Sequence, residues 1–325
     1  MALINNIEFL QIDTSVLRRI SGPLPFDIFV KRAENSFTKL FPKGETLDLD
    51  RLTNYEVQKG VTAFFVFKGD YKQYLAIVEK LASNLIAKTA TQNAEDLGQV
   101  IKELTNLTMI EILGEGHIDE RMANQAAVIT KGCIDLLTKK PSALFKIFRL
   151  MMAHPYMIRH ALSTTIFSLL LAKMEKLESP KTLVSIGLGA LLHDIGVSRM
   201  SFDPEAADQL SAENWKELKQ HPELGKRLLD PIRIIPTESR LIVLQHHEQP
   251  NGSGYPNGLK DKELYYPGKI VAIADSFSSL ISKRPFRDEP NSPLKALEIM
   301  GNDEGKFDRK LFRQFSTFFV SVKEL

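Results

Sequence analysis

The dipeptide His193-Asp194 closes an unbroken run of small and apolar residues, Gly187-Leu188-Gly189-Ala190-Leu191-Leu192. His160, His221, the pair His246-His247 and Asp275 also stand among apolar neighbours, so five of the chain's seven histidines fall into one set. A folded chain rarely places so many ionisable groups on apolar helix faces unless something offsets their lost solvation. Bound divalent cations do so. A single histidine on a helix is ordinarily a hydrogen-bonded residue. The recurrence is what points to metal: His-Asp, then His221 before Pro222, then His-His-Glu, then Ala274-Asp275. Imidazole and carboxylate donors suit iron, manganese, zinc or nickel. Cys133 is the one cysteine, which excludes an intramolecular disulfide and a cysteine-rich zinc site.

The 325 residues suffice for about two domains. Lys and Arg number 42 against 40 Asp and Glu, with no basic block, so a DNA or RNA polymer is not an expected partner. The first residues lack the charged start and long apolar core of a signal peptide. The longest apolar stretch, near Thr164–Ala172, is too short to span a bilayer. A cytoplasmic location and no membrane association are the expectations.

Residues 1–90 read as a small α/β domain. Val61–Phe67 is β-branched and aromatic and predicts a strand, and Phe37–Phe41 before Pro42 predicts another. A helical pattern follows from Asp70-Tyr71 through Tyr74, Ile77, Val78 and Leu81. Residues 91–140 read as a helical connector, with apolar residues at helical spacing and a break at Gly114-Glu115-Gly116. Lys139-Lys140-Pro141-Ser142 breaks the pattern again and offers Ser142 as a cap. Residues 141–325 then form a mainly α domain. Within it, His193-Asp194 ends a helix with Gly196 as the expected C′ residue. His246 and His247 would point about 100° apart on a helix and so serve different positions. Leu162, Ile166, Leu169 and Leu170 read as core, and Trp215 as a packing residue.

Leu191-Leu192-His193-Asp194-Ile195-Gly196 resembles the HD motif of metal-dependent phosphohydrolases. His246-His247-Glu248, Asn251–Pro256, Gly258-Leu259, Ile273–Phe277 and Arg284-Pro285-Phe286-Arg287 resemble the HD-GYP subfamily in order and spacing. Trp215, His221–Gly225 and Gly305–Asp308 fit the same pattern, from about Pro141 to the C-terminus. The resemblance implies an HD-domain helical bundle that hydrolyses cyclic di-GMP to pGpG, and to GMP, with iron or manganese. It implies metal ligation by His160, His193, Asp194, His221, His246, His247 and Asp275. Asp194 would bridge two metals, with His193 beside it at the catalytic centre and His247 facing a third position or the outer shell. Tyr255, Gly254, Arg284 and Arg287 are the implied substrate contacts. A regulatory partner acting through residues 1–90, and a homodimer, are further expectations.

The chain departs from the pattern at several points. Val197 replaces a lysine that lies beside the scissile phosphate in the subfamily. Tyr156 stands where trinuclear members carry a glutamate, which implies two metals here. Ser278, Asn251 and Ser163 replace an aspartate, an aspartate and an arginine. A catalytically weak protein acting as a cyclic di-GMP receptor or scaffold is the alternative reading.

Overall fold

The computed structural model describes residues 9–33, 36–87, 94–151, 154–205, 210–284 and 289–321. The chain forms two compact units, residues 1–107 and 108–325. The boundary falls inside a helix, so residues 91–140 are divided between the units rather than forming a separate connector.

Unit 1 contains strands β1 (Phe9–Ile12), β2 (Ile28–Ala33), β3 (Ser36–Phe41) and β4 (Phe64–Phe67) in the antiparallel order β1-β4-β2-β3. Ile28, Val30, Phe64 and Val66 are buried on one face, as period-two alternation requires. Phe9, Phe29, Phe37 and Phe65 occupy the other face and pack ring against ring. Helices α1 (Thr14–Leu17), α2 (Leu49–Val57) and α3 (Tyr71–Ala87) complete the sequence-adjacent elements, and α4 (Ala94–Glu115) crosses the boundary. β4 starts three residues later than its composition predicts. The Val61 amide is spent on the Tyr55 carbonyl as the chain leaves α2 and cannot join the ladder.

Unit 2 is helical. After α4 come α5 (Glu120–Lys139), α6 (Pro141–Leu150), α7 (Tyr156–Met174), α8 (Pro180–Leu192), α9 (Ala212–Leu218), α10 (His221–Leu229), α11 (Thr237–Gln245), α12 (Tyr266–Leu280), α13 (Pro293–Asn302) and α14 (Arg309–Ser321). α6 begins at Pro141, whose fixed φ suits a first turn, so Ser142 lies inside the helix rather than capping it. α7 is buried all round from Ile158 to Ala172 and packs against α8 and α12, while α8 also packs against α11. Leu162, Ile166, Leu169 and Leu170 are core residues, as expected. Among the described residues no helix is long and apolar enough to cross a membrane. Trp215 is 48% exposed on α9, a two-turn helix without buried residues, and does not pack as expected.

Candidate metal centre

Five imidazoles and two carboxylates converge in unit 2 from separate helices. His160 comes from α7, Asp275 from α12, and His221 opens α10. His193 and His246 are the C-cap residues of α8 and α11, so His246 and His247 leave a helix end rather than lying along a helix. His160 Nε2 lies 3.2 Å from His193 Nε2, and His221 Nε2 lies 3.1 Å from His246 Nε2. Asp194 sits between the pairs. Its Oδ2 is 3.2 Å from His193 Nε2 and 3.7 Å from His160 Nε2, and its Oδ1 is 3.2 Å from His221 Nε2 and 3.6 Å from His246 Nε2. Asp275 Oδ1 is 3.0 Å from His160 Nε2, and its Oδ2 is 4.0 Å from His247 Nδ1.

One local device orients three of the rings. The Nδ1 atoms of His193, His221 and His246 lie 2.7, 2.7 and 2.8 Å from the carbonyls of Ala190, Leu218 and Val243, each three residues back. Those carbonyls belong to the last turns of α8, α9 and α11, where the helix leaves acceptors unsatisfied. A carbonyl only accepts, so Nδ1 donates and the neutral ring presents a lone pair at Nε2. His160 Nδ1 is held by Ser278 Oγ at 3.0 Å. Ser278 therefore has a place in the centre as a ring-orienting partner.

This donor chemistry fits metal. Nε2 lone pairs facing each other at 3.1–3.2 Å repel unless a cation or proton lies among them. The donors fall into two overlapping groups, His160, His193 and Asp194, and Asp194, His221, His246 and His247, with the ligand atoms of each within 4.8 Å of one another. Asp194 is common to both. His247 joins the second group rather than standing apart from it. Nδ1 locks of this kind are the usual outer support of metal-bound histidines.

The electrostatics agree. Burial alone would raise Asp194, but the charge of the facing His193, with the close approach of His221 and His246, holds its carboxyl well below the ordinary range. Asp275 is held low in the same way, against burial, by His160 and His193. Burial depresses His160 and His246, and with the neighbouring His246 and His221 it depresses His247 strongly. His193 is the exception. Burial works against its charge, yet Asp194 and Asp275 raise it well above an ordinary histidine. Without metal, then, the carboxylates draw a proton onto His193. Loading must expel that proton, so affinity falls as pH falls. In titrations of metal into the metal-free protein, binding is expected to be weaker at pH 6 than at pH 8. A pH-independent affinity would contradict this account.

The turn after Asp194 is a 3₁₀ segment, Ile195–Arg199, not a helix stop. Gly196 does not take the left-handed conformation. A Cβ there would lie 2.0 Å from the His221 carbonyl oxygen, so the glycine exists for the close approach of α10. Val197, in the same turn, is half-buried and uncharged.

Tyr156 stacks on the His160 ring, with centroids 5.1 Å apart and planes at 12°. The Arg284 guanidinium lies 4.2 Å over the Tyr156 ring and donates to its hydroxyl. Arg284 thus places a fixed cation beside the first donor group. Arg287 lies outside the described residues. Tyr255 tilts on His247 at 4.7 Å and lies 6.3 Å from His221, at the edge of the second group. Its loop is organised by Glu248, whose Oε1 and Oε2 accept from Asn257 N at 2.6 Å and Leu259 N at 2.9 Å. A Cβ on Gly254 would lie 2.4 Å from Gln249 N and 2.6 Å from the His247 carbonyl oxygen. This glycine lets the loop close on the His-His-Glu backbone, which brings Tyr255 to the histidines. The roles of Glu248 and Ser278 have no signal in the sequence beyond their place in the motif.

The HD domain family matches residues 133–311. A cyclic di-GMP phosphodiesterase of Pseudomonas aeruginosa is 31% identical over 180 residues, 54% of this chain and 42% of that protein. A cyclic di-GMP phosphodiesterase of Thermotoga maritima is 40% identical over 111 residues, 32% of this chain and 28% of that protein. The chain therefore spans less than half the length of these curated relatives. A solved HDG"Y"P protein from Bdellovibrio bacteriovorus has the same fold, with a TM-score of 0.69 at 19% identity, covering 96% of this chain and 99% of that one. The family match takes in more than half of the chain and every metal-donor residue described above, and the chain belongs to the HD domain family.

Proposed function

We propose that this chain is a metal-dependent phosphodiesterase that hydrolyses cyclic di-GMP to pGpG, and further to GMP. The observation that carries this reading is the pair of overlapping donor groups joined through Asp194. His160, His193, Asp194 and Asp275 would hold one divalent metal, and Asp194, His221, His246 and His247 a second; the donors suit several transition metals, and the subfamily resemblance favours iron or manganese. Two such ions supply Lewis-acid charge and a nucleophilic water at neutral pH for an in-line displacement at phosphorus. Asp194 and His193 stand at the reacting centre. Tyr255, packed on His247, would bound the substrate on one side, and Arg284, held on Tyr156, would receive a phosphate oxygen on the other. The names of the relatives support the substrate class. Both donor groups lie in unit 2, which leaves unit 1 as the regulatory part, the place for a partner protein or a second copy of the chain.

Protein loaded anaerobically with iron or manganese is expected to convert cyclic di-GMP to pGpG, followed by chromatography of the products. No product from fully loaded protein would overturn the enzyme reading. The uncharged Val197 beside the centre favours one alternative, a cyclic di-GMP receptor, and tight nucleotide binding without turnover would establish it.

A further inference from the structure

Each donor group carries a tyrosine packed on one of its histidines, and a cation over that tyrosine. At the first group Tyr156 lies on His160 and Arg284 lies over Tyr156. At the second, Tyr255 lies on His247 at 4.7 Å, and the Lys219 ammonium stands 5.9 Å from the centre of the Tyr255 ring. Lys219 caps the C-terminus of α9, its amide bonded back to the Trp215 carbonyl. The residue before it, Leu218, is the one whose carbonyl holds His221 Nδ1 at 2.7 Å. One contact thus ties the Lys219 backbone to the second donor group, and another places its side chain on the ring beside that group. The residue is exposed, and its ammonium makes no ion pair among the described residues. The two cations are held differently. Arg284 is 4.2 Å from its ring and also donates to the Tyr156 hydroxyl. A cation–π contact reaches to about 6 Å, so Lys219 stands near its outer limit. It does so on a flexible four-carbon stem, and it gives up little by turning to an anion.

We propose that Lys219 is a substrate-binding residue whose ammonium contacts a phosphate oxygen of cyclic di-GMP on the Tyr255 side of the centre. The assignment rests on the reading of cyclic di-GMP as the ligand of this site. Each phosphodiester of that ligand carries a full negative charge. Exchanging a distant ring contact for a charge-assisted hydrogen bond to phosphate is favourable, because such bonds are about twice as strong as neutral ones. A cyclic dinucleotide presents two phosphates, and the site offers a cation beside each donor group, Arg284 at the first and Lys219 at the second. The turn after Asp194 is without a charge at Val197, and Lys219 supplies one from the end of α9 instead.

Equilibrium binding of cyclic di-GMP to manganese-loaded protein tests the assignment. Lys219→Gln is expected to weaken binding about tenfold, the loss of one hydrogen bond to a charged group. Lys219→Glu should weaken it further, and Lys219→Arg should stay close to the parent. Lys216→Gln removes an exposed charge one turn earlier on α9 and is expected to leave the affinity unchanged. Added salt should weaken the parent's binding more steeply than that of Lys219→Gln, since one exposed charge pair fewer remains to be screened. Metal content and melting temperature are expected to match the parent in all four variants, because the side chain is exposed. Equal affinity in Lys219→Gln and the parent would show that no contact is made. An equal loss in Lys216→Gln would show only the general field of α9. Loss of metal from Lys219→Gln would make the lysine a support of His221. Each of these three results would overturn the proposal. A metal-loaded parent that binds no cyclic di-GMP would instead defeat the ligand reading, and this assignment with it.

Discussion

Asp194→Ala is expected to lose metal from both donor groups at once, while variants on either side lose it from one. Among the described residues, the carboxylate is the one side chain with an oxygen toward each histidine pair, 3.2 Å from His193 and 3.2 Å from His221. Altering outer partners of metal ligands already costs roughly 10- to 100-fold in affinity. Removing a directly shared ligand should exceed that at each position. His221→Ala should spare the group around His160, and His160→Ala should spare the group around His221. The loss reaches stability as well. Metal that binds only the folded state stabilises it by about 2.7 kcal/mol at a hundredfold excess over Kd. The parent's melting temperature should therefore rise on adding manganese and the variant's should not. The metal-free variant should also melt below the metal-free parent, because His193 loses the carboxylate that offsets its buried charge. Elemental analysis and thermal melts of the three variants decide the matter. Full metal content with an unaltered melting temperature in Asp194→Ala would show that Asp194 is not shared. Loss of one metal of two would show that the groups do not overlap.

This centre is legible in the sequence because its chemistry stands out against its surroundings. Histidines and aspartates amid Leu, Ile, Gly and Ala carry a solvation cost that the residue types alone reveal, and their order along the chain matches a known pattern. The features that are not legible are those decided across distance. The Nδ1 locks depend on where α8, α9 and α11 stop, and helix ends are poorly specified by local pattern. Gly196 is a case in point. Its position after a helix suggests a left-handed stop, yet its necessity comes from the His221 carbonyl on another helix. Tyr156 and Arg284 are 128 residues apart, and their contact turns a missing carboxylate into a seat for a cation. Ser278 reads along the chain as a lost aspartate, yet its hydroxyl orients the His160 ring. In unit 1, the hydrophobic alternation of the strands is legible, while the start of β4 depends on a hydrogen bond back to α2. Trp215 shows the opposite limit, because composition implies packing that a two-turn surface helix does not provide.

Glu103→Gln is expected to stabilise unit 1 by on the order of 3 kcal/mol at pH 8 and by almost nothing at pH 4. Glu103 is 3% exposed on α4, beside Asp13, Tyr74 and Lys102. Its Oε1 accepts from the Tyr74 hydroxyl at 3.0 Å and from the Asp13 amide at 3.3 Å, while Lys102 is committed to Asp13 at 2.5 Å. Burial and then the Asp13 charge raise the Glu103 carboxyl from 4.5 to about 7, and the hydrogen bond from Tyr74 and the charge of Lys102 only partly oppose them. Below the unfolded value both states are protonated and the site costs nothing. Between 4.5 and about 7 the unfolded chain ionises while the folded one resists, so stability falls as pH rises. Above that window the full penalty applies. A glutamine retains the acceptor oxygen for Tyr74 and Asp13 and carries no charge, so its advantage should grow across the same window. Urea unfolding of parent and variant at pH 4, 6 and 8 measures the effect, and amide hydrogen exchange in α3 and α4 assigns it to unit 1. A pH-independent difference would show that Glu103 ionises as freely in the folded protein as in the unfolded one. A variant less stable than the parent at pH 8 would show that its second oxygen makes an interaction worth more than the charge costs.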